Sequence, residues 1–390
     1  MLSFDNTEIA FAYKSNGALY KSNLLFKLIN NNTLVKIGTR LTPLAFRLRL
    51  PIKWVVQKTI FKHFCGGESL TDSLLVVERL AKFKVSAILD YGVEGKQTDD
   101  DFDNATEEFI KAIKFAGPQL HIPFLSLKVT GIARFSLLEK LADNKTLSDS
   151  ERVEWNRVKG RMHRICKCAA ENGKAMMIDA EESWIQQPVD NLMEEMSSFY
   201  NKERAVVYNT IQHYRTDRLE FLKAAFEKAK NGNYILAVKL VRGAYMEKER
   251  ARAAKMNYNS PIHADKSATD NDYNNGLQFC LNNISLISVC VASHNENSNM
   301  IAANYLIENK LPHNHPHLHF SQLLGMSDHI TFNLAHAGFN VSKYVPYGPV
   351  KDVVPYLMRR AQENTSVSGQ MGRELSLLKK EILRRKNSRK

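Results

Sequence analysis

A parallel (β/α)8 TIM barrel preceded by a helical arm is the fold that the sequence predicts, on three observations. From about residue 85 onward, eight short apolar or β-branched runs recur, each followed by a helix-period pattern. Continuous apolar strands interleaved with helices are the pattern of a parallel sheet covered by helices, and eight of them close a barrel. Polar side chains also fall at or near the carboxyl ends of successive runs, the end where such barrels carry their sites.

The elements follow in chain order. Residues 1–80 read as a helical arm, broken at Ser15–Gly17, Asn31–Thr33 and Pro51. Residues 81–375 carry the eight runs: 85–91, 123–129, 175–181, 205–210, 235–241, 288–294, 317–323 and 342–347. Residues 376–390 form a basic C-terminal tail. Near the ends of the runs stand Asp90, Lys128, Asp179, Asn209, Lys239 with Arg242, His294 with Asn295, Gln322 and Tyr344. Solvation of strand ends accounts for some of these, but not for apolar strands ending in "KLVRG" and "ASHN".

The chain has 390 residues, 44% hydrophobic and 24% charged, with a net charge of +13 and a pI near 9.3. The balance favours an anionic partner. No zinc-finger spacing and no basic motif interleaved with aromatics supports nucleic acid. Five cysteines without framework spacing predict free thiols in a reducing compartment, with Cys166 and Cys168 a feature of a helix surface. The N-terminus has neither a basic n-region nor an Arg-rich transit pattern, and no apolar run is long enough to span a bilayer. The expected location is cytoplasmic, at or near the inner face of the cytoplasmic membrane. The basic, apolar segment 40–64 is either a peripheral membrane contact or an arm packed on the barrel.

The strand-end ring suits a metal poorly, because Lys128 and Lys239 repel a cation beside Asp179, Glu181 and His294. The alternating His313, His315, His317 and His319 open the seventh run, at the opposite end of the barrel, and a polar loop explains them better than a metal site. No G-x-G-x-x-G or G-x-x-x-x-G-K-[ST] is present, and "HFCGGES" reads as a turn in the arm. "VRGAY" offers an arginine and a close-approach glycine after the fifth run, suited to a cofactor phosphate or ring. In "PYLMRRAQEN", Tyr356, Arg359, Arg360 and Glu363 share one helical face. A guanidinium pair there suits a carboxylate. The residues themselves support a cofactor-dependent barrel enzyme acting on a small anion.

"KLVRGAYMEKERARA", "VASHNEN", "FSQLLGMSD", "KYVPYGPV" and "YLMRRAQEN", in that order, resemble the proline dehydrogenase family over about residues 80–370, and its monofunctional, eukaryotic-like branch above all. The resemblance implies a distorted (β/α)8 barrel whose last helix lies over the mouth. It also implies FAD as cofactor, oxidation of L-proline to Δ1-pyrroline-5-carboxylate, and electron transfer to a membrane quinone as the first step of proline catabolism.

Residue by residue, Arg359 and Arg360 match the pair that grips the substrate carboxylate, with Glu363 supporting them. Tyr344, Leu323 and Tyr356 match substrate-pocket positions. Lys128 and Asp179 match a charged pair at substrate and flavin, and with Lys239 these are the expected catalytic residues. Ala180, Val207, Asn209, Lys239, Arg242, Gly243, Ala244, Tyr245, Lys266, Ser293, His294 and Asn295 match cofactor contacts. Many members have arginine in place of Lys239, and many bacterial ones have glutamine in place of Asn209. Glu94, just past the first run, is expected to pair with Arg359 as a gate over bound substrate.

The implied reaction moves a hydride from the ring carbon beside a neutral amine to flavin N5, with Arg242 or Lys239 stabilising the reduced ring. Enzyme alternatives are a methylenetetrahydrofolate reductase-like barrel and a hydroxyproline dehydrogenase; Tyr344 disfavours the latter, whose members carry a small residue there. The non-enzyme alternative is a basic membrane- or nucleic-acid-binding protein on a barrel scaffold.

Overall fold

The structure is a computed structural model that describes residues 2–31, 33, 35, 53–92, 97–366 and 370–388. The arm contains α1 (Thr7–Phe11) and α2 (Asn16–Ile29), a helical run over residues 53–64, and α3 (Leu70–Ala81). The alternating part then runs β1 (Ser86–Tyr91), α4 (Asp99–Ala116), β2 (Phe124–Lys128), α5 (Phe135–Ala142), α6 (Asp149–Glu171), β3 (Ala175–Asp179), α7 (Ser183–Tyr200), β4 (Val207–Gln212) and α8 (Arg218–Asn231). It continues with β5 (Leu236–Val241), α9 (Met246–Met256), α10 (Lys266–Asn282), β6 (Ile287–Ala292), α11 (Glu296–Glu308), β7 (Leu318–Leu323), α12 (Asp328–His336), β8 (Val341–Tyr347), α13 (Val350–Ser366) and α14 (Gln370–Asn387). The eight strands close in sequence order into a barrel. The pairings of β1 with β8 and of β2 through β6 are parallel. Each predicted run contains or overlaps one of these strands.

Local chemistry sets the helix starts. Ser69, Thr98 and Ser148 each accept the amide of the residue three positions on, and Asp72, Asp101 and Glu151 answer the cap backbone, closing three capping boxes. The strands have no such signals. They are fixed by burial on both faces, as in β4, where every residue is buried.

The chain forms two compact units, Met1–Gly92 with Ser321–Lys390, and Val93–Phe320. In the first, Leu19, Phe26 and Ile29 of α2 pack with Val350, Val353 and Leu357 of α13 and with Leu377 and Leu378 of α14. Each such side chain contributes about 1.5–3 kcal/mol on burial. The residues 376–387 therefore continue a helix that shares this core. The "HFCGGES" glycines, expected as a turn, instead run alongside the end of β8: Gly67 bridges Tyr347 in parallel, and the Gly66 amide donates to the Pro346 carbonyl at 2.7 Å.

In the second unit, Phe124, Tyr208, Ser288 and His319 come from β2, β4, β6 and β7. The Phe124 ring lies 4.8 Å from that of His319 and 5.5 Å from that of Tyr208, and the Tyr208 and Ser288 hydroxyls are 2.8 Å apart. Side chains from strands so far separated around the sheet meet in the barrel interior, which identifies the inward parity of each strand. His319 is thus an inward-facing, half-buried residue, and its removal from water pushes its pKa down to about 3, so it is neutral. Among the described residues no group of three His, Cys, Asp or Glu could hold a metal. All five cysteines are free thiols, and all are buried. Cys166 and Cys168 therefore sit inside, where α6 packs, and the expected helix-surface placement does not hold.

Candidate functional site

Asp179, the last residue of β3, is the centre of the inward polar cluster. Its carboxylate accepts from Ser126 Oγ at 2.9 Å and from Lys128 Nζ at 3.3 Å, both on β2. Lys239 Nζ reaches the same carboxylate from β5. Because β4 lies between β3 and β5, that pair spans the interior and does not run along a strand edge. Lys128 stands opposite Asp179 in the ladder, and Ser126 lies two residues before Lys128 on the same face. Two ammonium groups, those of Lys128 and Lys239, thus share the Asp179 carboxylate in a largely buried setting.

Strand parity corrects two of the expected ring members. Asn209 donates through Nδ2 to Asp190 Oδ1 of α7 at 2.9 Å, and Asp190 also receives Gln186 at 2.9 Å and Arg218 at 2.8 Å. Asn209 therefore faces the helix layer, as does Val207 two residues earlier, whose side chain is fully buried. Gln322 likewise meets Thr331 of α12, at 2.8 Å. A shift of one residue along a strand exchanges its two faces. The inward residues of β4 are Tyr208, Thr210 and Gln212. The Gln212 amide donates to the Glu181 carbonyl at 2.7 Å, placing it beside the β3 loop. The polar strand-end position expected at Asn209 is filled by Gln212.

Glu181 grips the turn that follows Lys128. Thr130 donates to it through its amide at 3.2 Å and its hydroxyl at 2.6 Å, and the Glu181 amide is held by Gln186 at 2.9 Å. Burial raises the Glu181 pKa to about 7, against the opposing pull of Thr130 and Lys128. Ala180, between Asp179 and Glu181, is buried.

After β5 the chain turns at Arg242–Tyr245. Arg242 donates to Asp270 at 2.6 Å, Ser293 at 2.9 Å and Ser298 at 3.1 Å, and its guanidinium stacks 4.4 Å above the Tyr273 ring. Lys266 pairs with the same Asp270, whose carboxyl is held below its usual range by Lys266 and Arg242 despite burial. Gly243 has φ +134°, and a Cβ there would stand 2.4 Å from the Tyr214 ring, so this turn is possible only for glycine. Ala244 beside it is exposed, and Tyr245 is buried under Lys248, 5.3 Å from its ring. Asn295 caps α11 by accepting the Ser298 amide at 3.1 Å, and the half-buried His294 precedes it.

The second unit thus brings together Lys128, Asp179 and Lys239 in one cluster and Arg242, Lys266 and Ser293 in another. Leu323, Tyr344, Tyr356 and Arg359 belong to the first unit. Tyr344 is buried within β8, Leu323 and Tyr356 pack against the arm core, and Arg359 is half-buried. Arg360 and Glu363 lie on α13 with side chains outside the described set, and Glu94 falls among the residues outside it. Sequence reasoning missed Ser126 and Gln212 and weighed Glu181 only as a metal ligand; for Ser126 the i, i+2 spacing to Lys128 was the available signal.

The donors suit FAD. Lys128, Lys239, Arg242 and Lys266 supply cationic donors to these two clusters, which fits a phosphate-bearing group.

The proline dehydrogenase family profile matches residues 74–373. Proline dehydrogenase 1, mitochondrial, of Dictyostelium discoideum is 31% identical over 98% of this chain and 75% of its own length. The carbapenem antibiotics biosynthesis protein CarD of Pectobacterium carotovorum subsp. carotovorum is 33% identical over 83% of each chain. Among solved structures, proline utilization A (PutA) of Bdellovibrio bacteriovorus superposes with a TM-score of 0.74 at 21% identity, over 93% of this chain and 38% of that one. That similarity is one of fold. The relatives also correct the expected cytoplasmic location: those of Dictyostelium and Arabidopsis thaliana are named mitochondrial. Free thiols point only to a reducing compartment, which the mitochondrial matrix also is, so cysteine usage could not separate the two. With a profile matching residues 74–373 and a relative 31% identical over 98% of it, the chain belongs to the proline dehydrogenase family, oxidoreductases that act on proline.

Proposed function

We propose that the protein binds FAD and oxidises L-proline to Δ1-pyrroline-5-carboxylate, with a quinone as final electron acceptor, in mitochondria as the names of its relatives suggest. The observation that carries this reading is the Asp179 cluster, one carboxylate held by Ser126, Lys128 and Lys239 inside the barrel. Lys239, Arg242, Gly243, Ala244, Tyr245, Lys266, Ser293, His294 and Asn295 would hold the cofactor, with Gln212 in the place expected of Asn209. Bound FAD supplies the acceptor for a hydride.

The remaining work falls to the chain. The ammonium groups of Lys128 and Lys239 disfavour a protonated amine beside them, keeping the substrate nitrogen neutral. The same charge favours an anionic reduced acceptor. Asp179 keeps both ammonium groups in place. Arg359 and Arg360 take the substrate carboxylate as planar forks, with Glu363 one turn on from Arg359. Tyr344, Leu323 and Tyr356 shape the pocket.

The test is spectroscopic. The purified protein, reconstituted with FAD, should absorb near ~450 nm and bleach on addition of proline under anaerobic conditions. Absence of flavin binding, or a flavin that proline leaves oxidised, would refute the reading. K239M and R242M should each shift the bound flavin potential, and an unchanged potential in both would remove their assigned role.

A further inference from the structure

We infer that Glu249 is a positioning residue of the site: from α9 it holds the start of α7, and so sets the Arg242–Tyr245 turn against the Asp179 loop. What that turn holds rests on the proposed binding of FAD; the clamp itself lies wholly within the second unit. The buried residues of α9 are Glu249 and Ala253, and with Tyr245, also buried, they fall at i, i+4 and i+8. That spacing is the inward stripe of the helix, where apolar side chains are expected. A carboxylate there is costly unless donors meet it. One residue meets both oxygens: the Ser183 amide donates to Oε1 at 2.6 Å and the Ser183 hydroxyl to Oε2 at 2.6 Å.

Ser183 opens α7, a helix without a start signal of its own. Its N-cap, Glu182, makes no side-chain cap bond, and its first turn holds no acid. The first amides of a helix need acceptors from outside it and favour negative charge. α3, α4 and α6 supply theirs locally through capping boxes. For α7 the acceptor comes from another helix. The neighbouring side chains reinforce the contact. Lys248 pairs with Glu182 at 2.6 Å, and the Arg252 guanidinium lies 4.6 Å from the Trp184 ring. Glu182, Ser183 and Trp184 are thus each held by α9.

The clamp reaches across β4, which separates β3 from β5. On one side Ser183 follows Asp179 by four residues. On the other the Glu249 amide donates to the Tyr245 carbonyl at 2.9 Å, so one helical turn joins Glu249 to the turn after β5. The end of β4 fills the space between: the Gln212 side chain donates to the Glu181 carbonyl at 2.7 Å and the Tyr214 amide to the Arg242 carbonyl at 2.6 Å. Two loops that are distant in sequence become one bracket around the polar cluster. Loosening it should show in cofactor affinity and turnover, because a small misplacement of reacting groups is costly. The substrate carboxylate is assigned to Arg359 and Arg360, on another element.

E249A, E249Q, S183A and N209A should be compared with the wild-type chain. E249A should weaken FAD binding at least about tenfold and lower kcat about tenfold, with the KM for proline within about twofold. Amide hydrogen exchange over residues 180–186 and 242–248 should quicken at least about tenfold in E249A, with or without FAD. Glutamine can accept from the Ser183 amide and donate to its hydroxyl, so E249Q should stay within about threefold of the wild type in both measurements. S183A keeps the carboxylate and loses one of its two donors; it should fall between, and it decides the matter if E249A does not fold. N209A, which loses stability on the helix-facing side of β4, should leave FAD affinity unchanged. The inference is overturned if E249A, or S183A in its place, binds FAD and exchanges as the wild type does. It is overturned equally if E249Q is as impaired as E249A, or if N209A loses as much FAD affinity at equal loss of stability. A wild-type chain that takes up no FAD refutes the catalytic reading, and the exchange measurement then still decides for or against the clamp.

Discussion

Asn209 and Gln212 differ by three positions on one strand, and that spacing puts them on opposite faces. The Asn209 amide completes a buried set on Asp190 with Gln186 and Arg218, whereas Gln212 reaches the β3 loop. N209A should therefore lower stability by about 1–3 kcal/mol, the cost of an under-satisfied buried group, with kcat/KM of the folded enzyme unchanged. Q212A, which also removes a buried bond to the Glu181 carbonyl, should in addition lower flavin retention. Urea midpoints and flavin-to-protein ratios separate the two, and the opposite pattern would restore Asn209 to the site. Glu181 gives a pH prediction. Burial raises its pKa from 4.5 to about 7, so the folded chain holds the proton more tightly than the unfolded one. Its contribution is complete below about pH 4.5 and declines as pH rises to about 7, by on the order of 3 kcal/mol in all. E181Q should flatten the stability–pH curve between those limits, measured by urea denaturation at several pH values.

At the scale of elements, the packing of α10 on β4 depends on two residues one turn apart. Asp272 holds His213 Nδ1 at 2.7 Å, and Gly276 leaves room for the imidazole. A Cβ at position 276 would stand 2.3 Å from His213 Cε1. G276A should destabilise the protein by about 1–3 kcal/mol through overpacking, and H213A in the same chain should recover part of that loss. Thermal melts of the two single variants and the double variant test the coupling; strictly additive effects would show that ring and helix do not compete for this space. The same helix carries Asp270, which holds Arg242, so its seating bears on the turn after β5.

At the scale of the molecule, one compact unit is built from both ends of the chain, and a buried carboxylate joins them. Asp328 accepts the Tyr13 hydroxyl at 2.6 Å and lies 3.0 Å from both Lys14 and Lys343. Burial alone would raise its pKa, but the two lysines hold it well below the usual carboxylate range. Glu374 of α14 accepts the Ser327 amide at 3.0 Å, adding the C-terminal helix to the set. D328N would deprive two buried lysines of the carboxylate they contact and should lower stability by about 3–5 kcal/mol at neutral pH. A depressed pKa confers stability above the unfolded value and loses it as pH falls through the folded one, so the gap to the wild type should narrow below about pH 4. Urea denaturation at pH 7 and pH 3.5 would show this, and an equal midpoint for the two proteins at pH 7 would remove Asp328 as the joint.

The eight strands, their order and the Lys128–Asp179–Lys239 set were legible in the sequence, because apolar runs of strand length and the residues that end them are local facts. The sequence by itself determined the barrel and the family. Only the tertiary structure decided which face each strand residue takes, since a one-residue difference in where the parity is counted exchanges the barrel interior for the helix layer. That is why Asn209 and Gln322 proved to be packing groups and Gln212 an inward one. Tertiary structure also decided the partners of buried charge: Asp328 meets Lys14 across 314 positions of chain, a proximity that no periodicity encodes. Apolar patterning records whether a residue is buried, and the closing of the chain decides against what.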